Sequence, residues 1–241
     1  MDNLWYKIWS GKDHASVKID KDEFVSYCAL KKADGFDVAV DNEEKYFMNF
    51  YKGFLNSYEK MKELTGKDSF NSLFEVGCGS GVNLYLLKTR LNDGAYIGGL
   101  DYSEEMINLA KRIIPEVKLI YGDAINLPGE PKADLVLADS VFQYFDSLDY
   151  AKETLKKMLD KANDLVFLGE IHNADLHDEW LDNRRKTIAN YDERYKGLNK
   201  LFFSKSWLED IAKEKGRKIY FEDIHNEEYL NSKYIFNVYF Y

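Results

Sequence analysis

The sequence predicts an α/β fold: a doubly wound, mostly parallel seven-stranded sheet with a final antiparallel strand and helices on both faces. Three observations lead to this prediction. Short apolar runs alternate with segments of helical periodicity between residues 73 and 169, as in a parallel sheet covered on both sides. Glycines and acidic residues follow these runs, at the strand ends where such sheets bind ligands. The last two apolar runs, at 218–223 and 232–241, are joined by polar residues and predict an antiparallel pair.

The predicted elements follow one another without a long linker. Between about Asn42 and Thr65, apolar residues recur every three or four positions, which predicts a helix with a broad buried stripe that ends at Gly66. A further helix is predicted from Ser204, whose side chain can cap it. The remaining predicted strands lie at 73–76, 96–100, 117–121, 133–138 and 164–169, and the remaining helices at 82–91, 103–114, 147–159 and 173–190.

Two regions are expected along the chain. Residues 1–66 are predicted to form a helical arm or lid, and residues 67–241 a ligand-binding domain with a helical insert at about 173–203. Only three prolines interrupt the sequence, and no repeat is visible. We therefore expect one compact domain carrying the arm.

Composition limits the classes of partner. The chain has 33 Lys and Arg against 42 Asp and Glu, a net charge of −9, whereas nucleic-acid phosphates call for a basic face. No segment approaches about 18 apolar residues, and the start lacks the features of a signal peptide. The two cysteines, Cys28 and Cys78, are expected to be reduced thiols. These features predict a cytoplasmic protein with no nucleic-acid or membrane partner; they leave the oligomeric state open.

The most informative motif is a glycine-rich turn after the first predicted sheet strand. Residues 73–81 read LFEVGCGSG, and glycines at alternate positions let the backbone pass close to a ligand where a Cβ would collide. Asp101 closes the second strand, twenty residues after Gly81, where a carboxylate can accept hydrogen bonds from ribose hydroxyls. Together these features predict a site for a nucleotide-type cofactor.

The order of motifs resembles the class I S-adenosylmethionine-dependent methyltransferases, particularly those acting on small molecules. The resemblance runs from about Ser72 to the C-terminus. It rests on the glycine-rich turn, on Asp101, on the Gly-Asp-Ala segment at 122–124 and on the segment at 138–145 after the fourth strand. It implies S-adenosylmethionine as cofactor and S-adenosylhomocysteine as product. The implied cofactor-binding residues are Glu75, Gly77, Cys78, Gly79, Gly81, Asp101, Tyr102, Asp123, Ala124, Asp139 and Ser140, with Tyr6 from the arm.

Each implied contact has a chemical reason. The turn glycines let main-chain atoms approach the methionine part of the cofactor, and Glu75 fixes the turn or reaches the amino group through water. Asp101 would hold the ribose hydroxyls, while Tyr102 offers an apolar face to the adenine. Asp123 would accept from the adenine amino group, and the Ala124 amide would donate to a ring nitrogen.

Each motif taken alone also has a structural explanation. An isolated Asp101 can cap the next helix, and Gly122-Asp123 can be a simple turn. Their occurrence at three successive strand ends favours the cofactor site. An NAD(P)-dependent oxidoreductase shares the turn and the distant acid, but its fingerprint needs glycine or alanine where this chain has Val82. A non-catalytic cofactor-binding or interaction subunit on the same fold is the alternative function.

Catalytic residues are predicted from position. Methyl transfer depends mainly on alignment of acceptor and methyl group, and a general base is needed only for a protonated acceptor. His172, three residues past Gly169, is the candidate base, although it can equally be a polar loop residue. Gln143 and Tyr144 are expected near the methyl group, where either can orient an acceptor. No metal site is expected.

The acceptor is expected to be a small molecule, such as a sugar or another biosynthetic intermediate. The Asn-Pro-Pro-aromatic signature of amino methyltransferases acting on DNA bases or glutamine is absent after the fourth strand, and O- and N-methylation both stay open. The aromatic arm at 5–11 is favoured as a lid over the cofactor, with helix burial as the alternative. The insert, with Trp180, Arg184 and Arg185, is expected to cover the acceptor and to supply charge to an anionic group.

Overall fold

The computed structural model describes residues 16–35 and 42–241. Within them, seven strands form one sheet: β1 Ser72–Val76, β2 Tyr96–Asp101, β3 Lys118–Tyr121, β4 Ala133–Asp139, β5 Ala162–His172, β6 Ile219–Asp223 and β7 Ile235–Phe240. Their order across the sheet is β3-β2-β1-β4-β5-β7-β6. The pairs among β1 to β5 are parallel, and β7 runs antiparallel to both of its neighbours, β5 and β6. The predicted fold class is confirmed.

The described helices are α1 Glu23–Ala33, α2 Glu43–Thr65, α3 Val82–Leu87, α4 Glu104–Ile113, α5 Leu148–Lys161, α6 His177–Thr187, α7 Tyr191–Arg194 and α8 Lys205–Glu214. α1 was not predicted from the sequence. The helix predicted at 173–190 is wrong at both ends, because its start is the 3-10 turn Ala174–Leu176, capped by the Asn173 side chain, and α6 ends at Thr187.

Local capping explains where several helices begin and end. The Asp22 side chain accepts hydrogen bonds from the backbone N–H groups of Phe24 and Val25 and so starts α1. Gly66 ends α2 in the left-handed conformation, as predicted, with φ of 68°. Glycine adopts this conformation without a Cβ penalty.

The two faces of the sheet carry separate cores, because side chains alternate along each strand. α5 and α8 pack on the face that includes Val136 and Ala138. α1, α2, α3 and α4 pack on the opposite face, with Leu135 and Leu137. The described part of the predicted arm thus shares a core with the sheet, and the domain boundary at residue 66 stays a prediction. None of the described helices is both long and apolar enough to cross a membrane.

β5 contains an irregularity that matters for the site. The register with β7 passes from Leu168 opposite Val238 to Ile171 opposite Phe236, so β5 holds one extra residue there. Within this bulge, Glu170 has φ of 56°, a conformation that is uncommon outside glycine. Bulges change the direction in which neighbouring side chains project. The end of β5 therefore presents its side chains differently from a regular strand.

Candidate functional site

A cavity opens at the carboxyl ends of β1, β2 and β4. Most of the implied cofactor-binding residues line it: Glu75, Gly77, Cys78, Gly79, Asp101, Tyr102, Asp123, Ala124, Asp139 and Ser140. Gly81 is not among the lining residues and instead precedes α3 as its N-cap, with φ of 79°. Tyr6 and the rest of the proposed aromatic lid lie outside the described residues.

The glycine-rich turn is tied to the end of β2. The backbone N–H groups of Gly77 and Cys78 both donate to the Leu100 carbonyl, at 2.8 and 3.0 Å. Gly77 has φ of 71°, and a Cβ there would lie 2.5 Å from Cγ2 of Val141. At Gly79 φ is 51°, and a Cβ would lie 2.6 Å from Oδ1 of Asp34. Both positions therefore require glycine to keep the turn in place.

Asp101 is fixed in the cavity wall by two backbone groups. Its Oδ2 accepts a hydrogen bond from the Gly79 N–H at 2.9 Å, and its Oδ1 accepts one from the Ser103 N–H at 2.8 Å. Burial raises the pKa of Asp101 to about 6, while the backbone donors oppose that rise. Each oxygen retains acceptor capacity for a ribose hydroxyl. The cap of α4 is Ser103, so the capping explanation for Asp101 is not needed.

Two buried oxygens in the cavity wall have no donor among the described residues. Glu75 is 1% exposed, and its Oε1 accepts from the Asn83 amide at 2.8 Å. Its Oε2 and the Oδ1 of Asn83 have no hydrogen-bond partner. Burial raises the pKa of Glu75 well above its usual range. Buried acceptors are normally satisfied, so this end of the cavity is built for a ligand that carries hydrogen-bond donors.

Asp123 lines the cavity and also organises the turn after β3. Its Oδ1 accepts hydrogen bonds from the Tyr150 hydroxyl and from the Ile125 N–H. Asp123 therefore stabilises a turn and also forms part of the cavity wall. Tyr150, from α5, was not predicted as a site residue.

Helix α1 contributes two charged side chains that the sequence did not reveal. Asp34, the C-cap of α1, accepts from the Ser80 N–H and hydroxyl at 2.8 and 2.9 Å, and burial raises its pKa to about 6. Lys31 is 6% exposed, and its Nζ lies 3.8 Å from Oδ2 of Asp139. Both residues line the cavity. No motif marks them, because their partners are distant in sequence.

The end of β4 is packed against the end of β5. A Cβ at Gly169 would overlap Oδ1 of Asp139, so glycine at that position makes room for this carboxylate. Ser140 has φ of 57°, and its Oγ accepts a hydrogen bond from the Gln143 amide at 2.9 Å. Two left-handed non-glycine residues, Ser140 and Glu170, thus lie at adjacent strand ends. Such conformations are enriched at functional sites.

The three predicted catalytic residues lie in different surroundings. Tyr144 lines the cavity, whereas Gln143 is 1% exposed, is not among the lining residues and bonds to Ser140. His172 is 2% exposed and packs edge-on against Phe202 and Trp180, with ring centroids 5.0 and 5.8 Å away. Burial, with Lys200 and Arg184 nearby, lowers its pKa well below the usual range. These surroundings do not match the proton acceptor near neutral pH that the sequence analysis considered.

Glu170 is a further titratable group at this edge of the sheet; its place at the end of the fifth predicted strand is visible in the sequence, but no role in the site was predicted for it. It is 7% exposed, and burial together with the negative charge of Asp139 raises its pKa to about 7. Lys31, a Ser140 hydrogen bond and Lys200 act in the opposite direction. Its position in a bulge leaves no periodic signal in the sequence. No group of three or more His, Cys, Asp or Glu able to hold a metal occurs among residues 16–35 and 42–241.

Comparison with known proteins agrees with this geometry. A family model described as a methyltransferase domain matches residues 73–162, which contain the glycine-rich turn and the ends of β1 to β4. Residues 73–162 thus match a methyltransferase domain, in agreement with the resemblance to the class I enzymes. Malonyl-[acyl-carrier protein] O-methyltransferase from Priestia megaterium is 38% identical over 98 residues, which cover 40% of this chain and 35% of that protein. The chain thus matches only about a third of this relative's length.

Solved methyltransferases share the fold of the class I domain. Magnesium protoporphyrin IX methyltransferase from Synechocystis PCC 6803, with bound S-adenosylhomocysteine, superposes with a TM-score of 0.63 at 16% identity, covering 88% of this chain and 92% of that one. The plantazolicin methyltransferase BpumL, also with S-adenosylhomocysteine, superposes at 0.60 and 17% identity, covering 90% and 93%. At these identities the likeness shows the fold.

The cavity of this class I domain fits S-adenosylmethionine, the cofactor of the family. The unpaired oxygens of Glu75 and Asn83 match a cofactor that carries an ammonium group. Backbone hydrogen bonds fix both carboxylate oxygens of Asp101 at the end of β2, where they can accept hydrogen bonds from a ribose. Val82 stands where a dinucleotide fingerprint needs glycine or alanine. The oxidoreductase alternative is therefore disfavoured.

Proposed function

We propose that this protein transfers the methyl group of S-adenosylmethionine to an oxygen or nitrogen atom of a small molecule. The observation that carries the proposal is the cavity at the strand ends, where Asp101 offers acceptors for ribose hydroxyls and Glu75 offers one for an ammonium group. The net charge of −9 supports an acceptor other than nucleic acid.

The charge of the cavity supports binding of a cationic cofactor. Six acidic residues line it, and Lys31 is the single lysine or arginine among its described lining residues; the acids are Asp34, Glu75, Asp101, Asp123, Asp139 and Asp146. The cofactor brings a sulfonium and an ammonium charge into this acidic wall. Methyl transfer removes the sulfonium charge, so the attraction weakens for the product. This difference favours exchange of product for fresh cofactor.

We propose Glu170 as the proton acceptor when the methyl acceptor is a hydroxyl or a protonated amine. Glu170 is not among the cavity-lining residues, but it follows Gly169, which pairs with the cavity residue Asp139. A hydroxyl oxygen attacks the methyl carbon with a lone pair while its proton moves to the Glu170 carboxylate, and the carbon–sulfur bond breaks with its electrons passing to sulfur. A protonated amine first loses a proton to Glu170, and the freed nitrogen lone pair then attacks in the same way. A pKa of about 7 suits this role near neutral pH. Tyr144, in the cavity wall, is placed to orient the acceptor. Gln143 would act through Ser140 rather than by direct contact.

The acceptor class and the cellular location extend the proposal. The relatives named above methylate a malonyl carrier protein, a porphyrin and plantazolicin according to their names, and we propose a small biosynthetic intermediate, such as a sugar, for this chain. We also propose a cytoplasmic location, which the two free cysteines support. Cys78 lies in the cofactor turn, where oxidation would disturb binding.

Calorimetry with S-adenosylmethionine, S-adenosylhomocysteine and NAD tests the cofactor assignment. We expect binding of the first two and none of NAD, with Asp101→Ala weakening binding and the exposed control Asp93→Ala leaving it unchanged. Release of S-adenosylhomocysteine across a panel of sugars, amines and hydroxy acids then tests turnover. Absence of S-adenosylmethionine binding would refute the proposal. Tight binding without turnover on any acceptor would favour the non-catalytic alternative.

A further inference from the structure

Three nitrogen-bearing side chains converge beyond Tyr144, outside the cofactor cavity. His172 ends β5, Arg184 belongs to α6, and Lys200 lies in the segment before α8. The Trp180 ring centroid lies 5.8 Å from both the His172 ring centroid and the Arg184 guanidinium. The segment that carries Lys200 is tied to the same place, because the Phe203 N–H donates to the His172 carbonyl at 2.8 Å. In agreement with this placement, Lys200 and Arg184 both lower the pKa of His172, and Arg184 lowers that of Lys200. Three separate elements therefore bring positive charge to one place. We refer to His172, Arg184 and Lys200 as the basic cluster.

The basic cluster has hydrogen-bonding capacity that the described residues leave unused. His172 is 2% exposed, and its Nδ1 has no hydrogen-bond partner. The Nε of Arg184 is buried and also has none. The Lys200 ammonium makes no hydrogen bond or ion pair within the described residues. Leaving buried polar groups unpaired is costly, so native proteins rarely do so without a functional reason.

Aromatic rings hold the cluster in position without neutralising it. The Arg184 guanidinium lies 5.7 to 5.8 Å from the ring centroids of Trp180, Tyr191 and Tyr195. The Lys200 ammonium lies 5.3 Å from the Tyr144 ring centroid. Cation–π contacts of this kind orient a cation but supply no counter-charge.

Glu170, the carboxylate that acts on Lys200 among the described residues, is already engaged elsewhere. The pKa of Glu170 depends more strongly on Asp139, Lys31 and Ser140 than on Lys200. For Lys200, burial and then the like charge of Arg184 outweigh Glu170 and lower its pKa to about 8. Positive charge therefore predominates, and Lys200 is still mostly protonated at neutral pH.

Tyr144 connects the basic cluster with the cofactor cavity. It lines that cavity, and its ring contacts the Lys200 ammonium. Burial raises the pKa of Tyr144 most, and the negative charge of Glu170 raises it further. A molecule bound at the basic cluster would thus extend past Tyr144 and Glu170 toward the methionine end of the cavity. This is the side on which a methyl acceptor has to approach.

We propose that the basic cluster binds a carboxylate group of the methyl acceptor, which narrows the small biosynthetic intermediate proposed above to one that carries a carboxylic acid. The inference rests on the proposed methyl transfer for its biological meaning, but the anion site stands on its own contacts. Arg184 and Lys200 carry two positive charges and Glu170 up to one negative charge, so a ligand with a single negative charge balances the site better than a doubly charged phosphate. A neutral His172 can donate from Nδ1 to the carboxylate in the corresponding tautomer.

The test is a binding experiment with simple probes. Acetate, butyrate, benzoate and 3-phenylpropionate are titrated into the full-length protein saturated with S-adenosylhomocysteine, each beside its neutral amide, with phenyl phosphate as the dianionic comparison. Calorimetry reports affinity, and ¹⁵N NMR of histidine-labelled protein reports the ring nitrogens of His172 without any variant at the cluster. We expect at least one carboxylate to bind, to shift the His172 signals and to bind at least about tenfold tighter than its amide.

Matched variants locate the effect. Lys200→Met and Arg184→Met should each weaken carboxylate binding by at least about tenfold. The exposed control Lys196→Met should leave it unchanged. Equal binding of acids and amides, unchanged His172 signals, or equal affinity in cluster and control variants would overturn the proposal. Tighter binding of phenyl phosphate would overturn the choice of a carboxylate.

The failure of this inference can be separated from failure of the proposed function. S-adenosylhomocysteine binding is measured first and by itself, and its absence would refute the cofactor assignment. The same carboxylate titration is then carried out on the cofactor-free protein, where the basic cluster is still present.

Discussion

Replacing Asp101 with Asn tests whether this carboxylate holds the cofactor. In the folded protein each oxygen accepts one backbone hydrogen bond, from Gly79 at 2.9 Å and from Ser103 at 2.8 Å. An amide has one acceptor oxygen, so the variant leaves one backbone N–H unpaired, at a cost of about 1–3 kcal/mol in the free energy of unfolding. It also loses a charge-assisted hydrogen bond to the ribose, worth about 1.5–3 kcal/mol. S-adenosylhomocysteine should therefore bind about ten- to a hundredfold more weakly.

The same variant changes how stability depends on pH. Burial raises the pKa of Asp101 from 3.8 to about 6, so the cofactor-free folded protein holds this proton more tightly than the unfolded chain does. The resulting stabilisation is fully present below about pH 4 and is lost as the pH rises through about 6, by up to about 3 kcal/mol for about two pKa units. Asn does not titrate. Wild type should therefore gain stability relative to Asp101→Asn as the pH falls from about 7 to about 4.

Calorimetry with S-adenosylhomocysteine at neutral pH measures the first effect, and urea unfolding of the cofactor-free proteins across that pH range measures the second. Asp93→Asn, at an exposed position outside the cavity lining, is the matched control for both. The reasoning is wrong if Asp101→Asn binds S-adenosylhomocysteine within about twofold of wild type. It is also wrong if the stability difference between the two proteins does not change with pH.

Three further changes probe the neighbouring groups. Gly77→Ala should weaken S-adenosylhomocysteine binding at least about tenfold in calorimetry. The left-handed φ at this position costs an L-residue about 1–2 kcal/mol, and the added Cβ would collide with the Val141 side chain. The control Gly129→Ala, whose Cβ would lie in open space, should bind normally. Lys31→Met should lower the free energy of urea unfolding by about 3 kcal/mol, because the carboxylate of Asp139, whose side chain is 12% exposed, loses its cation. Unchanged stability would contradict this. Glu170→Gln should reduce kcat about 10²- to 10⁴-fold, while cofactor affinity stays near normal. The pKa of Glu170 predicts that kcat of the wild type rises through about pH 7, and the variant should lose this rise. A retained pH profile would exclude Glu170 as the base.

Much of the fold could be predicted because its determinants are local. The run 73–76 is apolar and short, and the strand observed is Ser72–Val76. The position of β7 between β5 and β6 was harder to predict. The sequence indicated that β7 pairs with β6, but it did not indicate that β7 also pairs with β5. Helix α1 went unpredicted, since few of its positions show the apolar stripe on which such predictions depend.

The cofactor-binding residues were predictable for a related reason. Glu75 and Asp101 lie at the ends of consecutive parallel strands, and such ends meet at one edge of the sheet. Asp34 and Lys31 were missed because their contacts span long separations; Asp34 bonds Ser80, 46 residues away. No periodicity or motif records a contact of that kind.

The order of strands and helices along the chain, the glycine-rich turn and the acidic strand ends could be read from the sequence, because each depends on neighbouring residues and on backbone preferences. Which polar groups lie together around the proposed methyl acceptor depends on contacts between residues far apart in the chain. His172 was the candidate base by position, yet it is buried among aromatic rings, and one extra residue in β5 accompanies the left-handed conformation of Glu170 beside Asp139 and Lys31. The physical reason is that a bulge changes where successive side chains point without changing the apolar pattern of the strand.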